Sequence, residues 1–190
     1  MARQGLTAAR VTEAAGAIAD AEGLPAVTLA RVAADLHVRA PSLYNHVGGL
    51  DALRRAIALD ALEQMAPVLR EAATGRSGPD ALLHTARAYR AFVLAHPGRY
   101  AATAVAPDPD DAEAIAAATE IVQIVVGVLR AWSLEGDDAL HAARAVRSAI
   151  HGFVSLEIEG GFGLPLDLDV SFDRMIEALS AGLGTPAPAA

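Results

Sequence analysis

"TLARVAADLHVRAPSLYNHVGGLDALRRAI" runs from Thr28 to Ile57, and its reading sets the fold of the first quarter of the chain. Thr28 is placed to cap a helix whose apolar positions Leu29, Val32, Ala33 and Leu36 share one face. His37-Val38-Arg39 follows as a turn. Pro41 then stands in the first turn of another helix, where its missing N–H costs little, and Gly48-Gly49 ends that helix. Upstream, Thr7 caps a helix with Val11, Ala14, Ala15, Ile18 and Ala21 at its apolar positions, stopped by Gly23 and Pro25. Three short helices, the last two joined by a three-residue turn, form the helix-turn-helix arrangement, whose final helix enters a DNA major groove.

At 100° per residue, Leu43 and Val47 fall on one side of that final helix and can pack on the other two. Pro41, Ser42 and Asn45 point the opposite way, with Tyr44 and His46 flanking them. The outward face is therefore short, polar and able to donate and accept hydrogen bonds. Asn suits adenine edges, Ser several bases, and Tyr and His suit phosphates. A solvated polar face on a small helix has the same spacing.

The 190 residues are 53% hydrophobic but only 4% aromatic, so the core is aliphatic, and Ala and Leu favour helix. No segment alternates with period two; helical spacing recurs to the end. A long helix is expected from about Leu50 to Ala73 with Pro67 as a kink, then one capped by Asp80 and ending before His96. A short helix over about Arg99–Val105 follows, then helices at about 111–132, 137–159 and 171–183. About nine helices and no sheet make an all-α chain: a helix-turn-helix domain at 1–50, a helical bundle at 51–184, and a tail at 185–190. The absence of Cys excludes disulfides and thiol catalysis. No secretory signal is visible, and "IVQIVVGVLRAW" reads as too short and interrupted to span a bilayer, so a cytoplasmic location without membrane contact is expected. The net charge is −8, unevenly spread: residues 1–57 hold six Arg against five acids, and 58–190 nine against eighteen. Only the first part is suited to phosphates.

Residues 28–57 resemble the N-terminal domain of the TetR family of transcriptional regulators. Thr28, Val32, Ala33, Leu36, Val38, Leu43, Tyr44, His46 and Leu53 carry the likeness. "AIHGFVSLEIEGGFG" is similar to a helix of a subgroup marked by Trp-His-Gly, with Ile150 in place of the Trp. Three positions depart from the pattern: His37 stands where the turn commonly has Gly, Val47 where Phe is common, and Leu50 where a phosphate-binding Lys is frequent. Arg39, Arg54 or Arg55 are candidates to compensate.

The resemblance implies a ligand-responsive repressor that binds a palindromic double-stranded operator as a homodimer. Thr28 would hydrogen-bond a phosphate while capping its helix, Arg39, Tyr44 and His46 would hold the backbone, and Pro41, Ser42 and Asn45 would face bases. Arg3 is a candidate minor-groove contact. The resemblance also implies an effector cavity in the later helices, where the scarce large residues Met65, Tyr89, Phe92, Tyr100, Trp132 and Phe153 fall, with Gln123 and His151 as polar groups. The effector expected is small and largely apolar, neutral or cationic. The helices at 137–159 and 171–183, rich in Ala and carrying Gly152, are expected to pair with their copies. Neither cofactor nor metal is expected, and no catalytic residue. Two alternatives stand beside this: a helical ligand-binding protein with weakened DNA contact, and a helical-bundle enzyme using pairs such as Asp80–His84 or Asp138–His141. The paired Glu-x-x-His motifs of bundle metal sites are missing, which weighs against the enzyme.

Overall fold

The computed structural model describes residues 5–184. Among the described residues there are nine α-helices and no strand: α1 (Ala8–Glu22), α2 (Leu29–Asp35), α3 (Ala40–Leu43), α4 (Leu50–Ala73), α5 (Gly78–Ala95), α6 (Pro97–Ala102), α7 (Ala112–Leu129), α8 (Gly136–Ile158) and α9 (Leu168–Gly182). The all-α expectation holds. Arg3 and the expected tail at 185–190 lie outside the described residues.

Helix starts are where structure and expectation differ. α5 opens at Gly78, so Asp80 is a first-turn acid facing the helix dipole and not the cap. α6 opens at Pro97, two residues early, because proline at N1 fits a helix entry. α9 opens at Leu168, not Ser171, because the Asp167 carboxylate accepts from the amides of Asp169 and Val170 at 2.8 and 3.3 Å. α3 is a single regular turn. Tyr44–His46 continue it as tighter hydrogen-bonded turns, with His46 N–H donating to the Leu43 carbonyl at 2.8 Å. α4 runs unbroken through Pro67, which is exposed, so the carbonyl that proline leaves without a partner faces water. α7 with its following turn, Arg130–Trp132, covers the span expected at about 111–132. Ala112–Trp132 is long and apolar enough to cross a membrane by length and composition. Two of its carboxylates form ion pairs, Glu113 with Arg55 and Glu120 with Arg70.

The residues fall into two compact units. The first comprises the chain up to Gln64 together with Ala95–Ala117, the second Met65–Leu94 with the residues from Ala118 on. The first unit therefore includes α6, which the sequence reading assigned to the later bundle. Its core is Val11, Ala15, Ile18 and Ala19 of α1, Val27, Val32 and Ala33 around α2, Leu43 and Val47 around α3, and Leu53 and Ile57 of α4. Leu43 and Val47 pack inward as their spacing predicted.

α6 is fastened to α1 by a buried arginine. Arg99 is 5% exposed. Its guanidinium reaches Asp20 at 2.6 Å and Glu13 at 2.7 Å, and its backbone N–H donates to Asp20 at 2.8 Å. Asp20 of α1 thereby caps α6 from outside, a service that His96 at the N-cap position does not provide. Burial opposes the charged form of Arg99, but Glu13 and Asp20 outweigh it and hold its pKa above the usual value. Glycines make the approach possible. A Cβ on Gly16 would lie 2.5 Å from Arg99 Nε, and one on Gly98 would lie 1.9 Å from the Ala19 carbonyl carbon and oxygen.

In the second unit the buried set includes Met65 and Leu69 of α4, Leu82, Tyr89 and Phe92 of α5, Leu129, Trp132, Val146, Ile150, Phe172 and Ile176. The Trp132 indole N–H donates to the Gly184 carbonyl at 3.0 Å. Phe153 packs edge-on against Phe172, with centroids 5.2 Å apart.

Two outcomes follow. Gly98→Ala collides with backbone that cannot rotate away, so urea unfolding should show a loss of ~2 kcal/mol or more. Arg99→Met leaves Asp20 without its cation and should cost about 3 kcal/mol in the same measurement.

Candidate nucleic-acid interface

The turn between α2 and α3 is built by backbone hydrogen bonds. Val38 N–H donates to the Ala33 carbonyl at 3.0 Å and His37 N–H to the Ala34 carbonyl at 3.2 Å, with His37 at φ 55°. That pair is a Schellman motif with the left-handed residue just past the helix end. The strained position is the one where the family commonly has Gly; here it is filled by His, which enters the left-handed region more readily than most side chains. Val38 folds back onto the core beside Ala33. Arg39 then takes the N-cap position of α3 in extended conformation.

Thr28 caps α2: its Oγ1 accepts from Arg31 N–H at 3.1 Å. The cap uses a lone pair and leaves the hydroxyl proton for another acceptor. Thr28 is exposed, as are Arg39, Pro41, Ser42, Tyr44 and Asn45; His46 is half-buried. Tyr44 is 62% exposed, unusual for an aromatic in a chain with so few. The buried pair Leu43 and Val47 fixes the rotation of the α3 turn, so the polar side chains between them face outward together.

Charge on this unit is more limited than the sequence suggests. Arg31 is engaged by Glu22 at 2.7 Å and Asp35 at 3.5 Å. Arg55 is held by Asp111 and by Glu113 at 2.8 Å, and its guanidinium holds the Asp111 carboxyl down at about 2. Arg55 is thus spent and does not replace the missing lysine. Leu50, at that position, is half-buried against the core. Arg39 and Arg54 form no ion pair among the described residues. Arg54 stands one helical turn into α4, half-buried, with a buried Nε that has no hydrogen-bond partner.

The residues expected around an effector are not all brought together. Met65, Tyr89, Phe92, Trp132 and Phe153 are buried in the second unit. Tyr100 is buried in the first unit, on α6. Gln123 and His151 are exposed. Gln123 lines an open groove of about 690 Å³ with Val126, Arg130, Leu134, Asp137 and Leu140. Three buried polar residues of this unit carry no signal in the sequence, Thr85, Arg90 and Ser180. Arg90 reaches Glu157 at 2.7 Å and Asp169 at 2.7 Å, and stacks over Phe172 and Phe153 at 5.0 and 5.6 Å from the ring centroids. Its bond to Glu157 raises its pKa.

The chain is similar to known regulatory proteins. The sequence profile of the tetracyclin repressor-like C-terminal domain matches residues 82–179. An HTH-type transcriptional regulator of Mycobacterium tuberculosis, Rv0681, is 38% identical over 91% of this chain and 79% of its own length. YobS, an HTH-type transcriptional regulator of Bacillus subtilis, is 34% identical over 95% of this chain and 94% of its own. Among solved structures, a TetR variant of Acinetobacter baumannii AYE in complex with minocycline superposes with a TM-score of 0.72 at 22% identity, over 94% of this chain and 96% of that one.

Two substitutions test the geometry of this face. His37→Gly should stabilise by about 0.5–1 kcal/mol in chemical unfolding, because glycine bears no penalty at positive φ. Thr28→Val should lose about 1 kcal/mol with the cap. The same change should weaken DNA binding in a gel shift run well below its melting temperature, and Thr28→Ser should retain both properties.

Proposed function

The chain belongs to the TetR family of transcriptional regulators and is a DNA-binding regulator; from that premise we propose that it works as a ligand-responsive repressor, binding a palindromic operator as a homodimer. The observation that carries the DNA-facing part is the Schellman turn that leaves Tyr44 and Asn45 exposed between the buried Leu43 and Val47. In this reading Thr28, Arg39, Tyr44 and His46 grip phosphates, while Pro41, Ser42 and Asn45 meet bases. Residues 1–50 act as the reading domain and 51–184 as the effector and dimerisation domain. Regulators of this kind are generally not enzymes, and neither catalysis nor a cofactor is part of the proposal. The location is the cytoplasm, where the operator is.

The second copy is proposed to pack on α8 and α9. Ala145, Ser148, Gly152 and Ser155 lie along one outward side of α8, and a Cβ added at Gly152 meets nothing within 4 Å. Such a stripe lets two helices approach closely, and a two-fold dimer calls for half-sites about one DNA turn, ~34–36 Å, or a multiple apart. The effector is proposed to be small and mostly apolar, lodged among the large buried residues of the second unit. To release DNA it must bind the released conformation more tightly than the DNA-bound one. The reading as a ligand binder with weakened DNA contact has its own support: Leu50 fills the lysine position and Arg55 is consumed by Asp111 and Glu113.

A gel shift with the promoter region of the protein's own gene separates these readings. Parent protein should bind there, and Tyr44→Ala should weaken binding to every sequence alike. Asn45→Ala should relax preference at one base pair, worth ~1–3 kcal/mol of discrimination. Parent-like binding by both variants would remove this face from DNA. In sedimentation, the parent should run as a dimer at micromolar concentration, and Gly152→Trp should run as a folded monomer.

A further inference from the structure

Thr85 lies in the middle of the buried face of α5, with Ala81, Leu82, Tyr89 and Phe92 on the same side. It is 4% exposed, and its hydroxyl has no hydrogen-bond partner. A helical Ser or Thr has an easy remedy, which is to return its hydroxyl to the carbonyl four residues back. Elsewhere in this chain that remedy is used: Thr74 donates to the Arg70 carbonyl at 2.8 Å, and Ser171 to the Asp167 carbonyl at 2.9 Å. Those two are in water's reach and need it least. Thr85 is buried and turns its hydroxyl elsewhere. Burying a hydroxyl without a partner is unfavourable, and valine has the same shape without that penalty. A position that keeps the hydroxyl under those terms calls for a partner the free protein lacks.

The surroundings define that partner. Arg87 and Arg90 are turned away from Thr85, Arg90 by about 140° around the helix, and are bound to Asp173 and to Glu157 and Asp169. The buried cation of this unit is therefore already neutralised, and an anionic ligand would find no free charge here. On its own helix Thr85 is flanked by the small residues Ala81 and Ala86, with Tyr89 one turn on and Phe92 two turns on. Orphaned donors are tolerated less well than orphaned acceptors, so the hydroxyl proton sets the requirement.

Resting on the reading that the second unit holds the effector, we propose that Thr85 is its hydrogen-bond anchor: the hydroxyl donates to an acceptor oxygen on a neutral, otherwise apolar small molecule lying along the Thr85-Tyr89-Phe92 face of α5. A ketone, ester or amide oxygen on an aromatic or aliphatic body satisfies both the donor and the apolar wall.

The test uses the full chain and two probes of the same size, acetophenone, which carries a carbonyl oxygen, and ethylbenzene, which does not. Titration calorimetry is run on the parent, Thr85→Val, Thr85→Ser and Thr85→Ala. Loss of one neutral hydrogen bond should weaken acetophenone about five- to tenfold in the Val and Ala variants. Ethylbenzene should bind the Val variant at least as well as the parent, and Ser should retain acetophenone binding. Without probe, Thr85→Val should melt ~2–4 °C higher, since it removes a polar group that has no partner. A lower melting temperature for Thr85→Val would mean the hydroxyl is already satisfied and would overturn the proposal. So would equal losses for both probes, or acetophenone binding indifferent to the hydroxyl; in those cases the effector site stands and only the anchor is lost. Failure of the parent to bind either probe would remove the apolar effector site along with the anchor, leaving the DNA-reading function intact.

Discussion

The first unit depends on one buried cation. Arg99 joins α6 to α1 through Asp20 and Glu13, and its N–H makes Asp20 the cap of α6 as well. A guanidinium at 5% exposure is tolerable only because two carboxylates meet it. Asp60 of α4 lies 3.4 Å from Nε, an electrostatic neighbour without hydrogen-bond geometry, so Nε itself stays unpartnered. Gly16 and Gly98 make this closeness sterically possible. The result is that α1, α4 and α6 converge on one charge. α6 begins at Pro97, one residue after α5 ends at Ala95.

Packing against the core of the first unit gives the α3 turn its orientation. α3 has too few residues to be stable alone. It persists because Leu43 and Val47 are embedded among Val11, Ile18, Val32 and Leu53, and because the Schellman turn fixes its entry. Tyr44 stays exposed on the outer side of this turn, where the proposed function gives it a phosphate to hold. The positive charge around it is thin, since Arg31 and Arg55 are occupied within the unit. In the proposed DNA-bound arrangement, affinity for phosphates would lean on Arg39 and on hydroxyls more than on a dense basic patch.

The second unit solves a different problem. It is rich in carboxylates, and its buried Arg90 gathers Glu157 and Asp169 while lying over two phenylalanine rings. That cluster ties α5 to α8 and α9 and leaves the opposite side of α5 apolar. On that side, Thr85 is a polar exception without a partner. Charge satisfied on one face and a hydroxyl unsatisfied on the other give α5 two distinct surfaces.

Much of this was legible without coordinates. The Thr7 and Thr28 caps, the glycine stops and the apolar spacings are local, and local chemistry fixes helices and turns; that the position of His37 favours Gly came from the family resemblance, and its φ of 55° agrees with it. Helix starts slipped by two or three residues where Pro97, Pro79 and Asp167 offered competing entries, since several residues near a helix start can serve it. The exposure of Tyr44 and Asn45 was readable because one short helix has one inner face. What sequence could not determine is which charges are free. Arg55 and Arg54 are neighbours of identical type, and only a carboxylate 56 residues away in the chain decides that Arg55 is occupied. The same holds for α6, whose place beside α1 rests on Arg99, Asp20 and two glycines far apart in sequence. Tyr100, Gln123 and His151 were grouped with the buried aromatics by residue type, yet tertiary packing put the first in another unit and the other two at the surface. Pairing of distant side chains is a property of the packed chain, and spacing along a helix carries no information about it.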